Sequence, residues 1–348
     1  MTRRQLLALG LATASSVVLP KVARATTTTM PQPQSDKHIS PQSLKPGDQV
    51  ALIAPASPVG AAEDLTAFRS RIESLGLVPV DAPNLMRTWA YLGGTDQERL
   101  DDLHWAFKNP EIKAVFPVRG GYGCTRLLLQ INYNLIRQNP KILCGYSDIT
   151  ALLIAINQAS NLITYHGPVV ASTPSEYSDA NLKAFLFGTP TQYEFKNPTG
   201  EGDQYTLQAI TKGIATGPLT GGNLALLSAM CGTPHQLQGA GKIVFIEDIR
   251  EDPYKIDRML TQLINSGSLR NAAGIICGQF TNCDPEEPEP NEWLVKDVLN
   301  ERLGLLGIPV MTGAAIGHVR PKWTIPIGTT ATLDTNSLII SISNNQNT

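Results

Sequence analysis

One pattern repeats through the first half of this chain and limits what it can fold into. Short apolar runs give way to small-residue turns and then to stretches of helical period. Strands are expected at 49–54, 77–80, 114–117 and from 142 onward, alternating with helical stretches at 61–75, 96–108, 124–130 and 148–159. Strands separated by helices of this size form a parallel sheet covered on both faces. In such sheets, sites form beyond the C-terminal ends of the strands. Two turns fall there, Gly120-Gly121-Tyr122-Gly123 and Gly145-Tyr146-Ser147-Asp148. Both point to one sheet edge.

The second turn carries the clearer chemistry. An apolar run ends at Gly145, Ser147 follows, and Asp148 opens an apolar helical segment. Strand, sharp turn, serine and helix make the geometry of a nucleophile elbow, which lifts the hydroxyl above the sheet where a helix N-terminus favours negative charge. The pattern departs from the usual elbow in one place: Ile149 stands where a glycine is expected. An ordinary helix cap is the competing reading, because serine and aspartate are favoured at helix starts.

A nucleophilic serine needs a base, and the chain has five histidines. His38 lies in a polar leader, His104 inside an amphipathic helix and His235 in a Thr-Pro-His-Gln turn. His166 and His318 follow expected strands and precede breaks, where catalytic groups are presented. A third group must orient the imidazole, and the apolar run at 243–246 ends on Glu247-Asp248. Burying a carboxylate there demands a partner. Helix capping, or an ion pair with Lys255 or Arg258, accounts for Asp248 better than for Glu247. Acyl transfer also needs donors for a developing oxyanion, and the amides of Gly120, Gly121 and Asp148 are placed to supply them. GxGxxG, GxxxxGK[ST], HExxH and zinc-type Cys/His spacings are absent, so neither metal nor cofactor is expected.

At 348 residues, two domains are the natural division. A net charge of −2 leaves no electrostatic footprint for nucleic acid. The five cysteines contain no CxxC; Cys144 and Cys277 read as small buried residues, leaving a Cys277–Cys283 bridge as the one conceivable pairing. Residues 1–25 read as a twin-arginine signal peptide, with Arg3-Arg4, an apolar run too short to span a bilayer, and Ala23-Arg24-Ala25 as the cleavage site. Cleavage after Ala25 takes the net charge to −6 and yields an exported, soluble protein. The expected organisation is a flexible leader at 26–45, a nucleophile-bearing α/β domain at 46–171, a linker at 172–216 and a C-terminal domain at 217–342.

Six motifs occur in order: Val118-Arg119-Gly120-Gly121-Tyr122-Gly123, Gly145-Tyr146-Ser147-Asp148, His166-Gly167-Pro168, Gly221-Gly222-Asn223-Leu224, Glu247-Asp248-Ile249 with Pro253-Tyr254-Lys255-Ile256-Asp257-Arg258, and Gly317-His318. Over about 45–340 this series resembles the LD-carboxypeptidase family of serine peptidases (S66 type), which also holds microcin C self-immunity proteins. The resemblance implies a flavodoxin-like parallel-sheet domain, a second, smaller α/β domain and an active site between them, often in a homodimer. It implies a metal-free triad of Ser147, Glu247 and His318, with oxyanion donors at Gly120 or Gly121 and at Asp148, and His166 structural or pocket-lining. The implied reaction releases the terminal D-alanine of a murein tetrapeptide by cleaving an L,D-peptide bond. A periplasmic enzyme would meet that substrate. Arg119 and Asn223 are the candidates to hold the substrate carboxylate. The alternatives are an immunity-type hydrolase of peptidyl- or aminoacyl-nucleotide toxins, and a non-catalytic murein-peptide binding protein.

Overall fold

The computed structural model describes residues 38–60, 65–287 and 289–343. The expected signal peptide lies outside the described residues, as does the leader up to residue 37. Through the first half the elements run β1 (Gln49–Ile53), α1 (Leu65–Glu73), β2 (Val78–Asp81), α2 (Asp96–Lys108), β3 (Ile112–Pro117), α3 (Tyr133–Gln138), β4 (Ile142–Gly145), α4 (Thr150–Ser160) and β5 (Thr164–His166). They continue with α5 (Glu176–Leu186), β6 (Gln192–Glu194), β7 (Gln208–Thr211), β8 (Ile214–Asn223), α6 (Leu224–Ala229), β9 (Ile243–Ile249), α7 (Pro253–Asn265) and β10 (Gly274–Thr281). The last are α8 (Val295–Gly304), β11 (Val310–Thr312), β12 (Ile325–Ile327), β13 (Thr330–Asp334) and β14 (Ile339–Ser343). None of the described helices is long and apolar enough to cross a membrane.

Local chemistry explains the boundaries. The α2 helix begins at Thr95, whose hydroxyl accepts from the Glu98 amide while Glu98 reaches back to the Thr95 amide. That reciprocal cap satisfies donors a helix start otherwise leaves open. Leu100, Leu103, Ala106 and Phe107 form its buried face. Strand β1 is an apolar run with Val50 to Ile53 fully buried, as a strand covered on both faces must be.

The first sheet has the order β2-β1-β3-β4-β5-β12, with every pair parallel except β5 with β12. An order of 2-1-3-4-5 is the flavodoxin-like arrangement, whose ligand crevice lies at the C-terminal ends of the strands near the β1/β3 switch point. The second sheet has the order β6-β14-β13-β8-β9-β10-β11-β7, with a parallel centre from β8 to β11. It is the wider of the two. Strand β12 joins the sheets: the chain leaves β11, passes His318 and returns to pair antiparallel with β5, Ile325 opposite His166.

Two expectations are corrected. The leader is docked from residue 38 onward, because Ile39 exchanges backbone hydrogen bonds with Asn161 and Ile163 and Leu44 is buried with its amide on Leu186. The stretch 172–216 is not a linker. It holds α5, β6, β7 and the start of β8, and it buries Leu182, Phe185, Leu186, Phe195 and Tyr205. The rings of Phe185, Tyr193, Phe195 and Trp323 pack in series at centroid spacings of 4.8 to 5.2 Å. Its core side chains sit on several short elements, so no single period runs through the segment. All five cysteines are free thiols, and the Cys277–Cys283 bridge is not formed.

Candidate active site

Ser147 follows β4 directly and has φ +62°, the left-handed region that a side chain enters only under constraint. Such a conformation costs about 1–3 kcal/mol and persists only where neighbours over-determine it. Here they do. The Gly145 carbonyl accepts from the Gly167 amide at 3.0 Å, and the Asp148 carboxylate accepts from the Cys124 amide at 2.8 Å. Ile149 packs so closely on Gly145 that a Cβ at 145 would stand 2.8 Å from its methyl. The glycine missing after the serine is thus offset by one before it.

The turn after β3 closes on the same serine. A side chain at Gly120 would meet the Ser147 Cβ at 2.9 Å and its Oγ at 3.1 Å. The buried Arg99 guanidinium ties this turn to the loop after β1, donating to the carbonyls of Gly123 and Pro55 and to Asp96. Ser57, which the sequence reading missed, adds a second tie: its amide donates to the Gly120 carbonyl and its hydroxyl accepts from the Tyr122 amide. Its position just past a parallel strand was the available signal. Among the described residues, the N–H groups of Gly120, Gly121 and Asp148 have no acceptor. Preorganised donors of this kind receive a developing negative charge well.

Glu247 and His318 come from the other sheet. Glu247 sits on β9, fully buried, and its Oε2 lies 2.8 Å from His318 Nδ1. Burial works against its charge, but the bond to His318 and the nearby positive groups outweigh it and hold the carboxyl below its usual range. A carboxylate accepting at Nδ1 leaves Nε2 as the basic nitrogen. The Tyr146 ring, one residue before Ser147, packs 4.8 Å from the His318 ring and connects the two halves of the site. Next to His318, Gly317 has φ +109°, and a Cβ there would stand 2.6 Å from Glu247 Oε2. Gly317→Ala is expected to cost about 1–3 kcal/mol in urea unfolding and to lower turnover by displacing the carboxylate. Unchanged stability and rate would contradict that placement.

The remaining nominated residues have other surroundings. Asn223 is buried, its amide donating to Asp248 and its oxygen accepting from Leu226 at the start of α6. Asp248 also accepts from the Ala225 amide, so it supports α6 rather than pairing with Lys255 or Arg258; Lys255 pairs instead with Glu251 and Asp252. Arg119 is half-buried at the end of the loop that opens on Gly120. His104 accepts from the Asn132 amide. Among the described residues, no group of three or more His, Cys, Asp or Glu stands close enough to hold a metal ion.

His166 lies beside the site without joining it. It pairs in register with Gly145 on β4, is 1% exposed, and neither ring nitrogen has a hydrogen-bond partner among the described residues. Burial pushes its pKa down to about 4, with Glu247 opposing and Lys322 and His318 adding to the shift. An unfolded histidine titrates near 6.5, so the unfolded chain takes up this proton first. The stability this neutral imidazole contributes is complete above about pH 6.5 and is lost as pH falls toward 4. His166→Phe should flatten the slope of unfolding free energy across that window; an unaltered slope would be the contrary result.

Residues 50–167 match the N-terminal domain of the LD-carboxypeptidases (peptidase S66), and residues 216–333 match their C-terminal domain. The chain belongs to the LD-carboxypeptidase family. It is 42% identical to a probable murein peptide carboxypeptidase of Bacillus subtilis (strain 168), over 85% of this chain and 91% of that one. Among solved structures it is similar to an MccF-like protein from Bacillus anthracis, with a TM-score of 0.77 at 28% identity over 87% of this chain and 99% of that one. It is also similar to a muramoyltetrapeptide carboxypeptidase from Oxalobacter formigenes, with a TM-score of 0.74 at 28% identity over 84% and 97%. The elbow and glycine turn lie in the first matched region, and the Glu247–His318 pair in the second.

Proposed function

We propose that the chain is a serine L,D-carboxypeptidase that releases the terminal D-alanine of murein tetrapeptides through an acyl-enzyme. The observation that carries this reading is the strained Ser147 at a strand-to-helix turn, faced by unpaired amides and joined through Tyr146 to a buried Glu247–His318 pair. Nε2 of His318 takes the Ser147 proton as the oxygen attacks the scissile carbonyl. The oxyanion is received by the amides of Asp148 and of Gly120 or Gly121, while Glu247 stabilises the imidazolium. Collapse of the tetrahedral intermediate breaks the C–N bond, and His318 gives its proton to the departing D-alanine nitrogen. Water, deprotonated by His318, then attacks the ester and regenerates Ser147.

The names of the relatives support murein peptide as the substrate class. A second reading, hydrolysis of an aminoacyl-nucleotide amide, is favoured by the likeness to a microcin C7 self-immunity protein MccF solved in complex with aspartyl sulfamoyl adenosine, at a TM-score of 0.80 and 25% identity. Incubating the protein with murein tetrapeptide and with an aminoacyl sulfamoyl adenosine separates the two. D-Alanine release from the tetrapeptide, unaffected by EDTA, is the expected outcome. Turnover of the nucleotide alone would favour the immunity reading, and binding without turnover of either would identify a non-catalytic binder. The export signal expected in residues 1–25 suits an enzyme acting on the wall outside the inner membrane; recovery of only the unprocessed chain from the cytoplasm would contradict that.

A further inference from the structure

The described residues bury three cations almost completely, and two of them have ready partners. Arg99 donates to the carbonyls of Pro55 and Gly123 and to Asp96. The Lys141 ammonium donates to the carbonyls of Ala106 and Asn109. Lys322 is 4% exposed, yet its ammonium has no hydrogen-bond acceptor and no ion pair among the described residues. The ammonium carries three donors, and it is not among the fully enclosed unpaired polar atoms, so it keeps an opening through which a ligand can reach it. What it does have is the Tyr146 ring, whose centroid lies 3.8 Å from Nζ. That contact, and attraction to Glu247, compensate the charge in part but leave its donors unused.

The backbone around Lys322 is held firmly. Its amide donates to Ser178 Oγ at 3.0 Å, and the next residue, Trp323, donates from its amide to Ala315 and from its indole to Lys196. The ammonium is thus fixed on the ring of the residue that precedes Ser147, and the same ring contacts His318. An exopeptidase that removes one residue must find the chain-terminal carboxylate one residue beyond the scissile carbonyl, about 3.8 Å along the backbone. A carboxylate receptor therefore has to stand within one residue of the nucleophile. Burial pushes the Lys322 ammonium down to about 8, with Glu247 pulling the other way, so it remains mostly charged at pH 7.

We propose that Lys322 receives the C-terminal carboxylate of the peptide substrate and so makes the site an exopeptidase site. This rests on the carboxypeptidase reading and deepens it. The carboxylate supplies the acceptors the ammonium lacks, and a peptide with a blocked C-terminus does not. Arg119 and Asn223 are then not needed for this contact, which fits the commitment of the Asn223 side chain to Asp248 and α6.

The test uses the Ser147→Ala protein, which should bind without turning over, and calorimetric titration with murein tetrapeptide and with its C-terminal amide. The Lys322 parent should prefer the free acid. Adding Lys322→Met should weaken binding of the acid by about 10- to 100-fold and leave the amide little changed, since a hydrogen bond to a charged group is worth about 1.5–3 kcal/mol. Lys322→Arg should restore part of the preference. Equal weakening of acid and amide would mean that Lys322 only props Tyr146, and unchanged binding of both would exclude either role; each overturns the proposal. Lys322→Gln serves if the methionine variant does not fold. If the parent binds neither peptide and the wild-type protein releases no D-alanine, it is the carboxypeptidase reading that has failed.

Discussion

Ser147→Ala is expected to lower D-alanine release from murein tetrapeptide by ~10⁴–10⁶-fold while leaving tetrapeptide affinity within a few-fold. The size of the loss follows from what the hydroxyl does. In the proposed mechanism it is the atom that bonds to the scissile carbonyl, so its removal would abolish the acyl-enzyme route rather than weaken one contact. What survives is transition-state stabilisation by the amides of Gly120, Gly121 and Asp148 acting on direct attack by water, a residual rate well below the parent. Binding should persist because, in the proposed mechanism, the serine oxygen meets only the scissile carbonyl and holds little else of the peptide. Alanine also removes no packing: the serine is held by its backbone, through the bonds of its neighbours Gly145 and Asp148. The measurement is steady-state release of D-alanine paired with calorimetric binding. A loss below a hundredfold would mean that another group attacks the carbonyl.

Glu247→Gln is expected to reduce turnover by ~10⁴-fold with little change in KM. Glutamine keeps the volume of a fully buried side chain but removes its charge. Two consequences follow at the 2.8 Å contact with His318 Nδ1. The imidazolium formed as Ser147 attacks loses its counter-charge. The glutamine amide also offers its own N–H to Nδ1, which moves the proton to Nε2 and leaves the face toward Ser147 without a base. Both effects act in the transition state, so kcat carries the loss. Single-turnover rates across pH 6–9 check this. A drop of less than tenfold would show that His318 is positioned and charged by something else.

The fold was legible where one local signal governed an element. The α2 helix starts where the Thr95–Glu98 pair places it, and β1, β4 and β9 lie where unbroken apolar runs end in turns. Ser147, Gly120, Glu247 and His318 could be nominated for the same reason: each stands just past an apolar run, where a parallel sheet opens. What a sequence does not display is pairing between distant segments. Strand β12 has three residues, and its place beside β5 is set by backbone bonds to His166, Tyr165 and Thr164 rather than by its own pattern. The short elements β6 and β7 were lost in a polar stretch because each has only three or four residues and none of their side chains is fully buried, so no apolar alternation marks them. Arg99 and Lys322 were invisible as functional groups because a lysine or arginine in sequence reads as surface, and only packing shows which ones lost their water. Ile149 is a different case: it looked like a flaw in the elbow until Gly145 was seen to make room for it.

The central claim is that the oxygen of residue 147 becomes covalently bonded to the substrate. Mass spectrometry on wild-type protein, quenched in acid while it turns over murein tetrapeptide, reads this directly. The account predicts a tripeptidyl adduct confined to the fragment containing Ser147, appearing together with free D-alanine and absent from Ser147→Ala. Release of D-alanine at the full rate with Ser147 unmodified throughout, or with the adduct on another residue, would contradict it.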